Sequence, residues 1–200
     1  MDLIEPGISL KLPDELVQEW KSAGKILIIH GQDIPESEAS KVLPSLSNDG
    51  RIAILAENIA NIPGKHIISN SNLVLSKNRG NSPAYPDLII HSGGQVVSKA
   101  LTGYLRRAQG VNLWRIGTDK GIVDTFKQVT RIIPHPCAAV YRALVDSGYT
   151  SAGSSYRTIW NTLATRASSL AEENIRQAPF SDLRIFRRIF QTIPSKAVIA

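Results

Sequence analysis

The chain has 200 residues, 42% apolar and 20% charged, which is enough for one large domain with a two-sided core. Its single cysteine, Cys137, excludes a disulfide framework and a cysteine-built zinc site and suits a reducing compartment. A net charge of +6 raises nucleic acid as a partner, but no block of like charges and no aromatic-basic signature accompanies it, so that class is set aside.

The opening Met1-Asp2-Leu3-Ile4-Glu5-Pro6 lacks the basic and apolar regions of a signal peptide. No apolar run reaches the roughly 18 residues of a membrane span. The expected location is the cytoplasm, with no membrane partner. Residues 1–20 read as an incoming linker, in which Pro13-Asp14-Glu15 starts a short helix between Ile8/Leu10/Leu12 and Leu16/Val17/Trp20.

Residues 25–31 form an apolar strand ended by Gly31, and Pro35-Glu36-Ser37-Glu38 opens a helix carrying Ala39, Val42, Leu43 and Leu46. Residues 51–56 are another strand, 58–64 a loop, and 66–75 a short segment expected to be helical. A polar surface loop follows at 77–84. Leu88-Ile89-Ile90, opened by Pro86, is an unalternated run and reads as a strand buried on both faces. Gly93-Gly94 breaks it, and from Val96 a helical stripe of Val97, Leu101, Tyr104 and Leu105 begins. Residues 111–117 and 129–133 are two further strands, the second halted by Pro134-His135-Pro136, and 137–144 is helical.

Strands alternating with helices at this spacing predict a doubly wound α/β fold around a parallel sheet of about six strands with right-handed crossovers. Residues 149–155 are a polar loop. Residues 156–177 are a long helix with Ile159, Trp160, Leu163, Ala164, Ala167 and Leu170 on one face. Ser181 caps a last helix bearing Leu183, Phe186, Ile189 and Phe190. A strand begins at 196–200 and runs out, which reads as a piece of a longer protein. The domain plan is therefore an incoming linker at 1–20, a central α/β domain at 21–148, and a helical linker at 149–200 leading into a missing third domain.

The strand, glycine turn and helix of 86–107 form the segment where function is expected, because such units hold ligands at the carboxyl ends of their strands. Ser98 and Lys99 lie in the helix's first turn, where free N–H groups, the positive dipole end and the lysine charge favour an anion. Neither the dinucleotide glycine pattern nor a phosphate-binding loop is complete, and Gly93-Gly94 is most simply a tight turn. His30 and His91, both near strand ends, are expected to line one crevice; no metal-binding spacing accompanies them. Cys137 reads as a small buried hydrophobe, and no serine-hydrolase elbow occurs. Glu57, at another strand end, serves catalysis, caps a neighbouring helix or is solvated. Arg184, Arg187 and Arg188 line one side of the last helix, either solvated or facing an acidic partner.

Three runs carry a family resemblance. Lys25-Ile26-Leu27-Ile28-Ile29-His30-Gly31-Gln32-Asp33, Ile54-Leu55-Ala56-Glu57-Asn58-Ile59-Ala60-Asn61, and residues 86–99 with Gly93-Gly94 and Val97-Ser98-Lys99 resemble the central domain of the MenD family. These are the 2-succinyl-5-enolpyruvyl-6-hydroxy-3-cyclohexene-1-carboxylate synthases of menaquinone biosynthesis. Leu113-Trp114-Arg115-Ile116 is similar to the family's next strand. The likeness spans roughly residues 20–146 and continues weakly into Phe180-Ser181-Asp182-Leu183, which looks like the start of a following domain.

The resemblance implies a three-domain, homo-oligomeric (dimeric or tetrameric) transferase that uses thiamine diphosphate and Mg²⁺. Such an enzyme decarboxylates 2-oxoglutarate and adds the succinyl unit to isochorismate. It also implies that the cofactor is held by flanking domains, since Asn48-Asp49-Gly50 is not the family's metal-binding motif, and that this chain is inactive alone. Lys99, with Ser98, matches the position at which the central domain lends basic character to the substrate pocket. Many members carry an arginine directly after that lysine. Here Ala100 stands in its place, so carboxylate binding is either weaker or completed by another domain. The alternatives left open are a free-standing nucleotide-binding module and a basic interaction module.

Overall fold

A computed structural model describes residues 10–77, 85–118, 124–148 and 154–194. The apolar runs become β1 (Ile26–His30), β2 (Ile52–Ala56), β4 (Leu88–Ser92) and β5 (Asn112–Ile116), with short edge strands β3 (Ile67–Ile68) and β6 (Arg131–Ile133). They form one six-stranded sheet in the order β3-β2-β1-β4-β5-β6, every pair parallel. β1, β2 and β4 are buried at every position, which is why their sequences do not alternate.

Alternate strand residues serve the two faces. Ile26, Ile28, Ile52, Ile54, Leu88 and Ile90 pack against α1 (Asp14–Ser22), α2 (Glu38–Leu46) and α5 (Cys137–Asp146). Leu27, Ile29, Ala53, Leu55, Ile89 and Leu113 pack against α3 (Ser71–Lys77), α4 (Lys99–Arg107) and α6 (Tyr156–Gln177). Each of these fully buried isoleucines and leucines contributes roughly 1.5–3 kcal/mol. This is the doubly wound α/β fold expected, with a last helix, α7 (Asp182–Thr192), in which no residue is buried.

Local chemistry moved several boundaries. Residues 66–75 are not one helix, because Ile67 and Ile68 pair in parallel with Ile54 and Leu55 as an edge strand before α3 begins. The predicted stripe starting at Val96 also begins too early. Ser98 Oγ accepts the Leu101 N–H at 3.0 Å, which sets the helix start at Lys99 and leaves Val97 outside it, 63% exposed. Likewise Ser37 Oγ accepts the Ser40 N–H at 3.1 Å, so α2 starts three residues beyond Pro35. The long helix spans 156–177 as expected. The expected strand at 196–200, the loop at 78–84 and most of the loop at 149–155 lie outside the described residues.

Both flanking segments pack onto the sheet. Leu12, Leu16 and Trp20 enter one core face, and Tyr156, Trp160 and Ala167 enter the other. Arg51 fastens α1 in place. Its guanidinium holds Asp49 Oδ2 at 2.8 Å and donates to the α1 carbonyls Trp20 O (3.0 Å) and Ala23 O (2.8 Å), lying 5.4 Å over the Trp20 ring. A buried arginine is tolerated here because carboxylate and helix-end carbonyls surround it.

Candidate functional site

In this strand order the chain winds outward in opposite directions from β1 and β4, so a ligand crevice is expected where their loops part. They do not part. Gly31 N–H donates to Ser92 O (3.0 Å), Gln32 N–H to Gln95 O (3.0 Å), and Gly94 N–H to Gln32 O (2.8 Å). The approach needs glycine, since a Cβ on Gly31 would stand 2.3 Å from Gly94 O, and Gly93 turns with φ +69°. The loops leaving β1 and β4 are therefore tied to each other by backbone hydrogen bonds at the switch point.

Beneath that closure runs a buried polar chain. His30 Nδ1 lies 2.8 Å from Ser92 Oγ, which in turn hydrogen-bonds Tyr141 Oη; His30 Nε2 lies 2.9 Å from Asp33 Oδ2, which also accepts the Ser37 hydroxyl at 2.6 Å. The residue types are those of a hydrolytic triad, but His30 and Ser92 are fully buried, so no substrate reaches the hydroxyl. Burial pushes the His30 imidazole down against the opposing pull of Asp33. Asp33, although burial pushes it up, is held below the usual carboxylate range by its hydrogen bonds from Ser37, His30 and the Ile34 N–H. Burial pushes the Tyr141 phenol well up.

His30 and His91 do not line one crevice. His30 pairs in register with Ser92 and Ile29 with His91, so the two imidazoles point to opposite faces of the sheet. His91 is 2% exposed, packs edge-on to Phe126 at 4.9 Å, and has no hydrogen-bond partner at Nε2 among the described residues. Burial, reinforced by the Arg115 charge, pushes it down to about 3. Arg115 is buried without an ion pair among the described residues. Its guanidinium donates to Gly93 O (2.9 Å), His91 O (3.4 Å) and Ile116 O, bracing the turn after β4. Half-buried Cys137 packs at the edge of the core, where burial raises its thiol, in line with a small hydrophobe.

At the start of α4 the sequence-predicted residues take distinct places. Ser98 is buried; besides capping Leu101 N–H, its hydroxyl donates to Asn72 Oδ1. Lys99 is exposed and makes no hydrogen bond or ion pair among the described residues. Glu57 is the helix cap of the three alternatives, its Oε2 accepting Val97 N–H at 2.8 Å and its Oε1 accepting Ser98 N–H at 2.6 Å. A cleft of about 530 Å³ opens beside it at the ends of β1 and β2, lined by Pro35, Glu36, Glu57, Asn58 and Asn61 among others. Around this edge three loops expose apolar tips: Ile34 (70%), Ile59 (41%) and Val97. On α7, Arg187 pairs with Glu172 at 2.6 Å and Arg184 donates to Ala178 O at 2.9 Å.

Sequence reasoning missed the His30–Ser92–Tyr141 chain, the role of Arg115 and the Asp49–Arg51 pair. Only the register between β1 and β4 brings His30 to Ser92, and no local signal carries that register. Among the described residues no group of three or more histidine, cysteine or acidic side chains can hold a metal ion, and no helix is long and apolar enough to cross a membrane.

Fold and edge together define a doubly wound parallel α/β domain whose switch point is closed by its own backbone and whose strand-end rim carries Lys99, unpaired among the described residues. Among proteins of known activity, the chain is similar to 2-succinyl-5-enolpyruvyl-6-hydroxy-3-cyclohexene-1-carboxylate synthases. It is 26% identical over 200 residues to that of Porphyromonas gingivalis, covering 94% of this chain and 35% of the relative. With that of Desulfotalea psychrophila it shares 23% over 201 residues (99% and 35%), and with that of Flavobacterium johnsoniae 22% over 188 residues (92% and 33%). The chain thus spans about a third of the length of these curated relatives, consistent with a central domain of the MenD synthase, and the likeness reaches past residues 20–146. No family model matches it.

Proposed function

We propose that this chain is the central domain, non-catalytic on its own, of a cytoplasmic, homo-oligomeric synthase dependent on thiamine diphosphate and Mg²⁺. The parent enzyme decarboxylates 2-oxoglutarate and adds the succinyl unit to isochorismate in menaquinone biosynthesis. The observation that carries this reading is the similarity of nearly the whole chain to one third of such synthases. In this reading the start of the chain leads in from a first domain and its end leads toward a third, while α1 and α6, which pack into the two core faces, fold with the central domain.

The chain's own residues offer little to the cofactor. Asp49, the acid of Asn48-Asp49-Gly50, is bound by Arg51 and buried, which supports a seat for Mg²⁺ and diphosphate in the flanking domains. The domain's direct contribution is charge. Lys99 extends from the first residue of α4, where the Lys99 and Ala100 N–H groups have no acceptor among the described residues, and it meets a substrate carboxylate. Ser98 sets the helix start from which Lys99 projects. The apolar tips Ile34, Ile59 and Val97 suit packing against a flanking domain. The closed crevice between β1 and β4 speaks against a nucleotide module, so ADP or FAD is expected to leave the melting temperature unchanged.

The test compares the longer gene product with this 200-residue chain, each supplied with 2-oxoglutarate, isochorismate, thiamine diphosphate and Mg²⁺. Product from the long chain alone is expected; an inert long chain overturns the reading. In the active long chain, Lys99→Ala should raise the KM for one carboxylate substrate about tenfold or more, the loss of one charge-assisted contact, with the fold intact.

A further inference from the structure

Glu57 reaches further than a cap needs to. It stands at the end of β2, yet the sheet order puts β1 between β2 and β4, so its side chain crosses the end of β1 to reach the loop that leaves β4. There its two oxygens take two consecutive N–H groups, Val97 at 2.8 Å and Ser98 at 2.6 Å. One carboxylate with an oxygen for each donor fixes the orientation of both peptide planes. Its own backbone is held in turn, since Glu57 O accepts the Ala60 N–H at 2.8 Å.

The same loop is pinned at its other end by the Gln32–Gln95 and Gly94–Gln32 hydrogen bonds. Ser98, whose N–H Glu57 holds, then directs the helix through Leu101 N–H and through Ser98 O, which accepts Thr102 N–H at 3.0 Å. Lys99 is the next residue. Its direction of exit from the rim is therefore set by the Glu57 fork immediately before it. The carboxylate more than offsets the half-charge at the positive end of α4, so any attraction for an anion at this position comes from the Lys99 ammonium.

We propose that Glu57 is a positioning residue for Lys99: it holds the entry to α4 so that the lysine meets one substrate carboxylate, without touching substrate itself. The inference rests on the substrate role of Lys99 given above.

The experiment is a double-mutant cycle in the full-length synthase, with kcat and KM measured for 2-oxoglutarate and for isochorismate. Glu57→Ala should raise the KM of the substrate affected by Lys99→Ala by about fivefold to tenfold while kcat changes less than about twofold. Placed on Lys99→Ala, it should add less than about twofold, because there is no longer a lysine to position. Glu57→Gln, which keeps a single carbonyl acceptor, should fall between. Amide hydrogen exchange supplies a readout apart from activity: Val97 and Ser98 should lose protection in Glu57→Ala while β1 and β4 keep theirs. An unchanged KM in Lys99→Ala overturns the lysine's substrate role and this inference with it. A raised KM there, combined with additive effects or with protected Val97 and Ser98 amides in Glu57→Ala, overturns this inference alone. If Glu57→Ala does not fold, Glu57→Gln is held to the same two criteria.

Discussion

His30 and His91 each follow two isoleucines and each sit near a glycine, yet one is fully partnered and the other is not. The difference sets an acid sensitivity. An unfolded histidine takes a proton below about pH 6.5, while native His91 stays neutral down to about 3 because burial and the Arg115 charge oppose its cationic form. Between those values the unfolded chain binds more protons, so stability is full above about pH 6.5 and is lost as the pH falls. From about pH 7 to about pH 5 this single group should remove about 2 kcal/mol of unfolding free energy. His30 acts in the same direction, and Asp33, whose carboxyl is held low, adds a further loss only below the usual carboxylate range. His91→Leu, which keeps the bulk against Phe126 and removes the titrating ring, should flatten the urea-measured pH profile by about that amount. A parallel profile in the variant would show that His91 is not the group responsible.

Elements differ in how far their sequences announced them. The buried strands were legible because strands covered on both faces must be apolar at every position, and α6 because its spacing repeats over six turns' worth of sequence. β3 was not legible. Two isoleucines carry no period, and their pairing with Ile54 and Leu55 is decided by β2. Helix starts slipped by three residues wherever a serine captured an N–H beyond the first apolar position, as at Ser37 and Ser98. At the rim, the sequence placed Ser98 and Lys99 beside a helix start that the structure sets at Lys99, whereas the task of Glu57 and the opposite facing of the two histidines depend on register, which no single strand reveals. The glycines separate the same way. Gly31 reads like any strand terminator, yet it lies against Gly94 O and Gln95 O, so Gly31→Ala must push the β1 and β4 loops apart. It should destabilise by about 1–3 kcal/mol, as overpacking does. Gly103, inside α4, faces only the mobile end of Arg107 at 3.6 Å, so Gly103→Ala should stabilise by about 0.5–1 kcal/mol through helix propensity. Urea midpoints moving in the same direction for both variants would refute the crowding argument.

At the scale of the whole molecule, the last two helices do different things. Trp160 of α6 is fully buried, meeting Tyr104 edge-on at 6.0 Å and Tyr156 at 6.5 Å, and Asn70 Nδ2 donates to Ala164 O at 3.0 Å. Removing α6 would strip one face of the sheet. α7 buries none of its residues and exposes Leu183, Phe186 and Phe190 beside Phe180; the exposed Arg187–Glu172 pair that links it to α6 is worth at most about 1 kcal/mol. Its apolar residues therefore add little buried area to the fold. A chain ending after Gln177 should therefore unfold within about 1 kcal/mol of the 200-residue chain, with a slightly smaller denaturant slope. Tryptophan fluorescence reads this on both faces at once, since Trp20 and Trp114 report one core cluster and Trp160 the other. A chain ending before Tyr156 should lose cooperative unfolding altogether. If the cut after Gln177 instead removed more than about 2 kcal/mol, α7 would have to be counted as part of the folded unit, and its exposed phenylalanines would need a partner within this chain.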